Sequence, residues 1–453
     1  MNIHFISIGG SVMHQLAIAL KKKNYNVTGS DDEIFEPARS NLAKENLLPA
    51  TIGWNEKNIH EKLDAVILGM HAKADNPELI KAKELGLKIY SFPEYIYAES
   101  IDKTRVVVGG SHGKTTTTGM IMHVLKETGK AFDYLVGAKL ESFAQSVNIT
   151  DAPIIICEGD EYPASTLEKR PKFHFLFPHV AIITGIAWDH INVFPTFEIY
   201  LEPFKIFIQK ILPDGILIYN ETDETLNKLV KENLRNDIRY QPYKIPVHVI
   251  NNGKTTIEIE DAKGELKVFG NHNLLNLHAA YFACKELGID AENFVHAIAS
   301  FSGASKRLEL LASNNSTNIY RDFAHAPSKV KATIDAVKEQ FPNRKLVGVL
   351  ELHTFSSLNE EFMNEYKNAM DKADVAIVFF SKHALELKRM PDLPKQKVID
   401  GFGRKDLVVI NDKNELLEKL QQQNFINSNL VFMSSGNYDA LDVAAFAKNI
   451  CAE

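Results

Sequence analysis

The chain has 453 residues, 45% of them hydrophobic and 24% charged, and a formal net charge of −7. That length exceeds one ordinary core and sets roughly two to four domains as the expectation. The acidic balance, with no long basic block, argues against a duplex nucleic-acid partner, and the three widely spaced cysteines disfavour a disulfide framework or a thiolate metal site.

In chain order, residues 1–100 alternate short apolar runs with amphipathic ones. Strands are expected at 3–8, 26–29, 65–68 and 88–91, and helices at 12–23, 37–44 and 77–85. Such alternation predicts a parallel sheet with right-handed crossovers. Residues 101–104 read as a connector. Further strands are expected at 154–158 and 180–186, an antiparallel patch within 215–269, and a helix over 276–287. A third α/β unit is expected from about residue 313. Its strands are predicted at 319–323, 346–351, 375–380, 407–410 and 430–434, and its helices at 328–340, 360–372, 414–423 and 441–450. No apolar run is long enough to span a bilayer, and a strand pattern starts at once without signal-peptide features. The expected location is the cytoplasm, with no membrane partner.

The most informative stretch is Val106-Val107-Val108-Gly109-Gly110-Ser111-His112-Gly113-Lys114-Thr115-Thr116. A β-branched run enters a glycine-rich turn, and Lys-Thr opens a helical pattern. Glycines let backbone N–H groups approach phosphates, Lys114 can reach the β- and γ-phosphates, and Thr115 can hold Mg²⁺. The strict P-loop spacing is missed by one position, because Val108 stands where the first glycine belongs. An ATP site is expected here.

Other clusters carry possible chemistry. Gly9-Gly10 follows a strand and precedes a helix, and Ser30-Asp31 ends the next strand, as in a nucleotide site with an acid near the ribose. A dehydrogenase fingerprint is not met, because Ser7 and Val12 occupy its glycine positions. Glu158-Gly159-Asp160-Glu161 and Asp189-His190 each follow a buried strand, where α/β sheets place ligands, and together can hold a second Mg²⁺. His272-Asn273-Leu274-Leu275-Asn276 opens a helix whose polar groups suit an adenine edge, or simply cap that helix. Arg307 suits a γ-phosphate, and Asp322, in Arg321-Asp322-Phe323-Ala324-His325-Ala326-Pro327, suits a ribose hydroxyl.

Taken in order with Asn76-Pro77, these segments resemble the Mur ligase family, whose members join an amino acid or peptide to a UDP-muramyl carboxylate. The resemblance runs along the whole chain. It implies an α/β fold of three domains: an N-terminal Rossmann-like UDP-binding domain (1–101), a central P-loop ATP-binding domain with a mixed sheet (102–312), and a C-terminal Rossmann-like domain for the amine or peptide substrate (313–453). It implies an ATP-dependent ligase that forms an acyl phosphate on UDP-N-acetylmuramate and passes the acyl group to an amine. Two short segments, Glu158 to Tyr162 and Met433 to Tyr438, resemble the branch that adds the tripeptide L-Ala-γ-D-Glu-meso-diaminopimelate in murein recycling. Glu351-Leu352-His353-Thr354 lacks the His-Arg-Tyr-x-Arg segment of the branch that adds L-alanine. The alternative is the branch that adds free L-alanine in peptidoglycan biosynthesis.

By the same resemblance, Gly110, Ser111, His112, Gly113, Lys114, Thr115 and Thr116 cradle ATP. Thr115 holds one Mg²⁺ and Glu158 with His190 a second, His272, Asn273 and Asn276 line the adenine pocket, and Arg307 and Asp322 meet the γ-phosphate and the ribose. His325 lies near the amine or the transferring phosphate. Gly9, Gly10, Ser30, Asp31 and Asn76 take the UDP-sugar. Ala326 replaces a second histidine common in the family, and Lys205, where some members carry a carbamylated lysine, is expected to be an ordinary solvated one.

Overall fold

Short buried runs rich in β-branched residues build the parallel strands, and glycine-, proline- or asparagine-marked turns separate them from amphipathic helices. The computed structural model describes residues 1–137, 140, 143, 145–188, 193–303 and 307–452. It divides into two compact units. One comprises Met1–Pro246, Glu260–Ala262 and Leu275–Ile298; the other comprises Val247–Ile259, Lys263–Leu274 and Ala299–Glu453.

In the first unit, β1 (Asn2–Ile6), β2 (Asn26–Ser30), β3 (Ala65–Leu68) and β4 (Ile89–Ser91) form a parallel sheet in the order β2-β1-β3-β4. Helices α1 (Met13–Lys22), α2 (Ala38–Lys44), α3 (Pro77–Glu84) and α4 (Phe92–Ala98) complete this part. The chain leaves β1 toward one edge and returns to its other side as β3. The crevice therefore opens beyond the carboxyl ends of β1 and β3.

The second sheet of this unit contains β5 (Thr104–Gly109), β6 (Asp133–Leu135), β7 (Val147–Asn148), β8 (Ile154–Glu158), β9 (Val180–Ile183), β10 (Ile216–Asn220) and β11 (Arg239–Tyr243). Its order is β11-β10-β9-β5-β8-β6-β7. All pairings are parallel except β6 with β7, which makes the sheet mixed. β5 is central and buried along nearly its whole length, as its Arg-Val-Val-Val sequence suits. Helices α5 (Lys114–Glu127), α6 (Phe197–Gln209) and α7 (Glu224–Glu232) lie in this part of the chain.

The expected antiparallel patch is β12 (Val247–Asn251), β13 (Lys254–Ile259) and β14 (Ala262–Leu266). Helices α8 (Asn271–Glu286) and α9 (Ala291–Ile298) follow. α8 begins five residues before its predicted start.

The last sheet has the order β15-β16-β20-β17-β18-β19. Its strands are β15 (Glu309–Ser313), β16 (Thr317–Asp322), β17 (Lys345–Glu351), β18 (Val375–Phe379), β19 (Val408–Ile410) and β20 (Ser428–Met433). Only β15 runs antiparallel, and it starts before the residue 313 expected to open this unit. Helix α10 (Pro327–Gln340) follows β16. The helix expected over 360–372 is instead a 3₁₀ segment, Glu360–Tyr366. Lys367 leaves it in an extended conformation and Asn368 takes φ +64°, so the apolar period outruns the helix.

Candidate active site

The end of β5 and the start of α5 form a tight turn whose glycines are required. Gly110 has φ +127°, and a Cβ there would stand 2.1 Å from Thr184 Oγ1 and 2.9 Å from the Thr184 nitrogen. Gly113 has φ +83°, and its Cβ would meet Asn276 Oδ1 at 2.3 Å. The Thr184 hydroxyl donates to the Gly109 carbonyl at 3.2 Å and also to that of His112. Ser111 N donates to the Gly185 carbonyl at 2.9 Å. His112 Nδ1 lies 2.8 Å from the Ser111 carbonyl, and Thr116 is buried in the first turn of α5. The N-cap position is Gly113, and among the described residues no side chain caps that helix. Its first N–H groups and positive dipole end therefore suit an anion.

Register brings the charges here. Val108 of β5 pairs with Glu158 of β8, so the glutamate stands beside the turn. Thr115 Oγ1 donates to Glu158 Oε1 at 2.8 Å, and Glu158 Oε2 accepts from Gly137 N at 2.9 Å. A hydroxyl and a carboxylate in contact are hard oxygen donors of the kind Mg²⁺ takes. Lys114 Nζ donates to Gly110 O at 2.6 Å and to Glu161 Oε2 at 2.8 Å. Burial alone would lower the Lys114 pKa, but the Glu161, Asp160 and Glu158 carboxylates outweigh it and hold it above its ordinary value. Asp160 pairs with Lys172 at 2.7 Å; burial opposes its charge, and Lys172 with Lys114 still holds its pKa below normal. Asp189 and His190 lie outside the described residues.

Gly9 N donates to Asp31 Oδ2 at 2.6 Å at the crevice of the first sheet. Burial, with Asp32 adding, pushes the Asp31 carboxyl up to about 6 against the Gly9 N–H. Gly10 lies beside it, its carbonyl accepting from His14 N at 3.0 Å. The backbones approach closely here: a Cβ on Gly69 would fall 2.6 Å from Ser7 Cβ. Two of the residues expected to meet the sugar turn inward. Ser30 donates to buried Glu78 Oε1 at 2.7 Å, and Asn76 Oδ1 caps α3 by accepting from Glu78 N and Leu79 N at 3.0 and 3.2 Å. Glu78 also meets His4 Nε2 at 3.3 Å, Asn55 N at 2.9 Å and Asn58 Nδ2 at 3.0 Å, and this buried group was not legible in the sequence.

In the second unit, Asp322 Oδ2 accepts from Leu308 N at 2.7 Å and Oδ1 from Ala324 N at 2.6 Å. Burial pushes its carboxyl up to about 6 despite these donors and Arg307. The Arg307 guanidinium lies 5.0 Å from the Phe323 ring centroid, and Phe323 meets the His325 ring edge-on at 5.4 Å. His325 Nδ1 lies 2.9 Å from the Phe323 carbonyl. Burial, with Arg307 adding, pushes His272 down to about 4, so its imidazole is neutral at physiological pH. Asn273 Nδ2 donates to the Phe269 carbonyl at 2.9 Å. Arg307, Asp322, His325 and His272 thus share one neighbourhood, while Asn276 belongs to the P-loop turn.

Buried Glu351 was read only as part of a segment, yet it organises the 433–438 turn. Its Oε2 accepts from the Ser434 hydroxyl and, at 2.9 Å, from Tyr438 N. Lys205 is 42% exposed and 3.5 Å from Glu202, as expected for a solvated helix lysine.

Known proteins give this geometry a context. Residues 2–99 match the Mur ligase family catalytic domain, residues 108–284 the Mur ligase middle domain, and residues 306–436 the Mur ligase glutamate ligase domain. The UDP-N-acetylmuramate–L-alanine ligase of Caldicellulosiruptor bescii is 32% identical over 83% of this chain and 82% of its own length. The chain belongs to the Mur ligase family. The Haemophilus influenzae UDP-N-acetylmuramate–L-alanyl-γ-D-glutamyl-meso-2,6-diaminoheptanedioate ligase is 26% identical over 97% of both chains. A solved UDP-N-acetylmuramate-alanine ligase from Thermotoga maritima shares the fold at a TM-score of 0.68, with 22% identity and 99% of each chain covered. Mur ligases are ATP-dependent enzymes of peptidoglycan synthesis that form amide bonds, and this chain is such a ligase with the family's three-domain α/β architecture. Among the described residues no helix is long and apolar enough to cross a membrane.

Proposed function

We propose that this Mur ligase activates the lactyl carboxylate of UDP-N-acetylmuramate with ATP and joins it to an amine in the cytoplasm. The observation that carries the reading is the contact of Thr115 with Glu158 beside a P-loop turn whose Lys114 ammonium is held by the Gly110 carbonyl and Glu161. The carboxylate attacks the γ-phosphorus, giving an acyl phosphate and ADP. The amine then attacks the acyl carbon, loses a proton, and expels phosphate. No protein group becomes covalently attached, so catalysis is positioning and charge neutralisation. Lys114 and the 110–116 turn hold the phosphates, Thr115 and Glu158 hold Mg²⁺, and the sequence resemblance adds His190 to that set. Mg²⁺ supplies charge neutralisation on the phosphates. The sequence resemblance assigns Arg307 to the γ-phosphate, Asp322 to the ribose, His272, Asn273 and Asn276 to the adenine, and His325 to the amine side. The crevice at Gly9, Gly10 and Asp31 takes the UDP-sugar.

L-Alanine is the first reading of the amine, because seven of eight similar relatives are UDP-N-acetylmuramate–L-alanine ligases. The tripeptide is the second. It is favoured by the Glu351–Thr354 and Met433–Tyr438 segments and by the Haemophilus relative, which matches nearly end to end. Hydroxylamine offered in place of the amine tests the shared chemistry. A UDP-sugar hydroxamate formed only with ATP and Mg²⁺ supports the acyl phosphate, and its absence with bound UDP-N-acetylmuramate overturns it.

A further inference from the structure

One buried side chain touches the P-loop from α6, and nothing in the sequence marked it. Tyr200 is fully buried, its ring packed edge-on against Phe194 and Phe204 at 5.2 and 5.5 Å. Its hydroxyl stands 2.7 Å from Ser111 Oγ and donates to Glu161 Oε1 at 3.1 Å. Ser111 Oγ in turn accepts from Ala187 N at 2.9 Å. These contacts fix the proton directions. The serine proton goes to the tyrosine oxygen and the tyrosine proton to Glu161, whose other oxygen holds Lys114 at 2.8 Å.

Packing alone does not account for this arrangement, because phenylalanine would fill the same aromatic cluster. The hydroxyl matters through Glu161, a carboxylate only 1% exposed. A buried carboxylate needs donors, and its cost rises when one is lost. With the tyrosine donor in place, Glu161 does not depend on Lys114 alone. Without it, Glu161 retains the ammonium that a phosphate must claim.

We propose that Tyr200 is a positioning residue for the nucleotide step: through Glu161 it sets how readily Lys114 passes to the phosphates of ATP. This rests on the ATP-dependent reading above. The expected effect is asymmetric. Tyr200→Phe weakens ATP binding about tenfold, the scale of one hydrogen bond to a charged group, and raises the ATP KM while leaving the UDP-sugar KM unchanged. Glu161→Gln added to Tyr200→Phe restores much of the ATP affinity, because the charge that retains Lys114 is gone.

Calorimetric titration of the full chain with ATP and Mg²⁺ tests this, beside steady-state KM values for both substrates. Wild-type protein that fails to bind ATP overturns the functional reading itself. Wild-type binding with an unchanged Tyr200→Phe variant overturns only the proposal. So does a double variant whose losses multiply, since a purely structural tyrosine predicts no rescue. Should Tyr200→Phe fail to fold, Ser111→Ala cuts the same chain one link earlier. A smaller loss of ATP affinity, about threefold and reversed by Glu161→Gln, supports the proposal; a loss that Glu161→Gln leaves or deepens overturns it.

Discussion

Replacing Lys114 by methionine separates two roles of that side chain. Its side chain is 16% exposed, and its ammonium pairs at 2.8 Å with Glu161, whose side chain is 1% exposed. Removing the cation leaves a buried carboxylate short of its counter-charge, a change that costs about 3–5 kcal/mol. Tyr200 still donates to Glu161, so the low end, about 3 kcal/mol, is expected. The P-loop phosphate clamp goes too, and phosphate release should fall at least about 100-fold. In Lys114→Met/Glu161→Gln the orphaned charge is absent, so stability should return to within about 1 kcal/mol of wild type while turnover stays lost. Urea unfolding followed by tryptophan fluorescence reports on the right unit, since both tryptophans, Trp54 and Trp188, lie in the first. A single variant as stable as wild type, or a double variant no more stable than the single, would refute the pairing argument.

Gly110→Ala places a methyl 2.1 Å from Thr184 Oγ1 at φ +127° and is expected to abolish ATP binding, as read by calorimetry; retained affinity would contradict the turn geometry. Glu158→Gln keeps the contact with Thr115 but removes a charge from the oxygen pair, so turnover should fall about 100-fold and recover partly at high Mg²⁺ in a phosphate-release assay. Asp322 titrates at about 6 against an ordinary 3.8 because burial disfavours its charge. The folded chain thus holds a proton that the unfolded chain has lost, and the group's contribution falls by at most about 3 kcal/mol as pH rises from about 4 to about 6. Asp322→Asn should therefore gain stability relative to wild type across that window in urea midpoints at both ends, and a difference independent of pH would count against the burial argument.

The nucleotide turn was legible because its physics is local. A side chain at residue 110 or 113 would be strained by its φ and would clash with Thr184 or Asn276, and a Val-Val-Val run suits the buried strand it forms here. Glu158 was legible because a carboxylate ending a buried strand has few other places to go. Tyr200 was not, since periodicity reveals that a face is buried but not which atoms it reaches. Ser30 and Asn76 show the converse. Their polar types at strand and helix ends read as ligand-facing, yet both are directed to Glu78, a partner 48 and 2 residues away. The 360–372 stretch keeps a helical period after Tyr366, but the backbone turns at Asn368, where φ is +64°.

Phosphate release with ATP, Mg²⁺ and UDP-N-acetylmuramate, run in parallel with L-alanine and with L-Ala-γ-D-Glu-meso-diaminopimelate, tests the central claim most directly. The account predicts release that requires the UDP-sugar and one of the two amines. L-Alanine alone would give the first reading, and the tripeptide alone the second. No release with either amine, from protein that binds both ATP and the UDP-sugar, would contradict the ligase account of this chain.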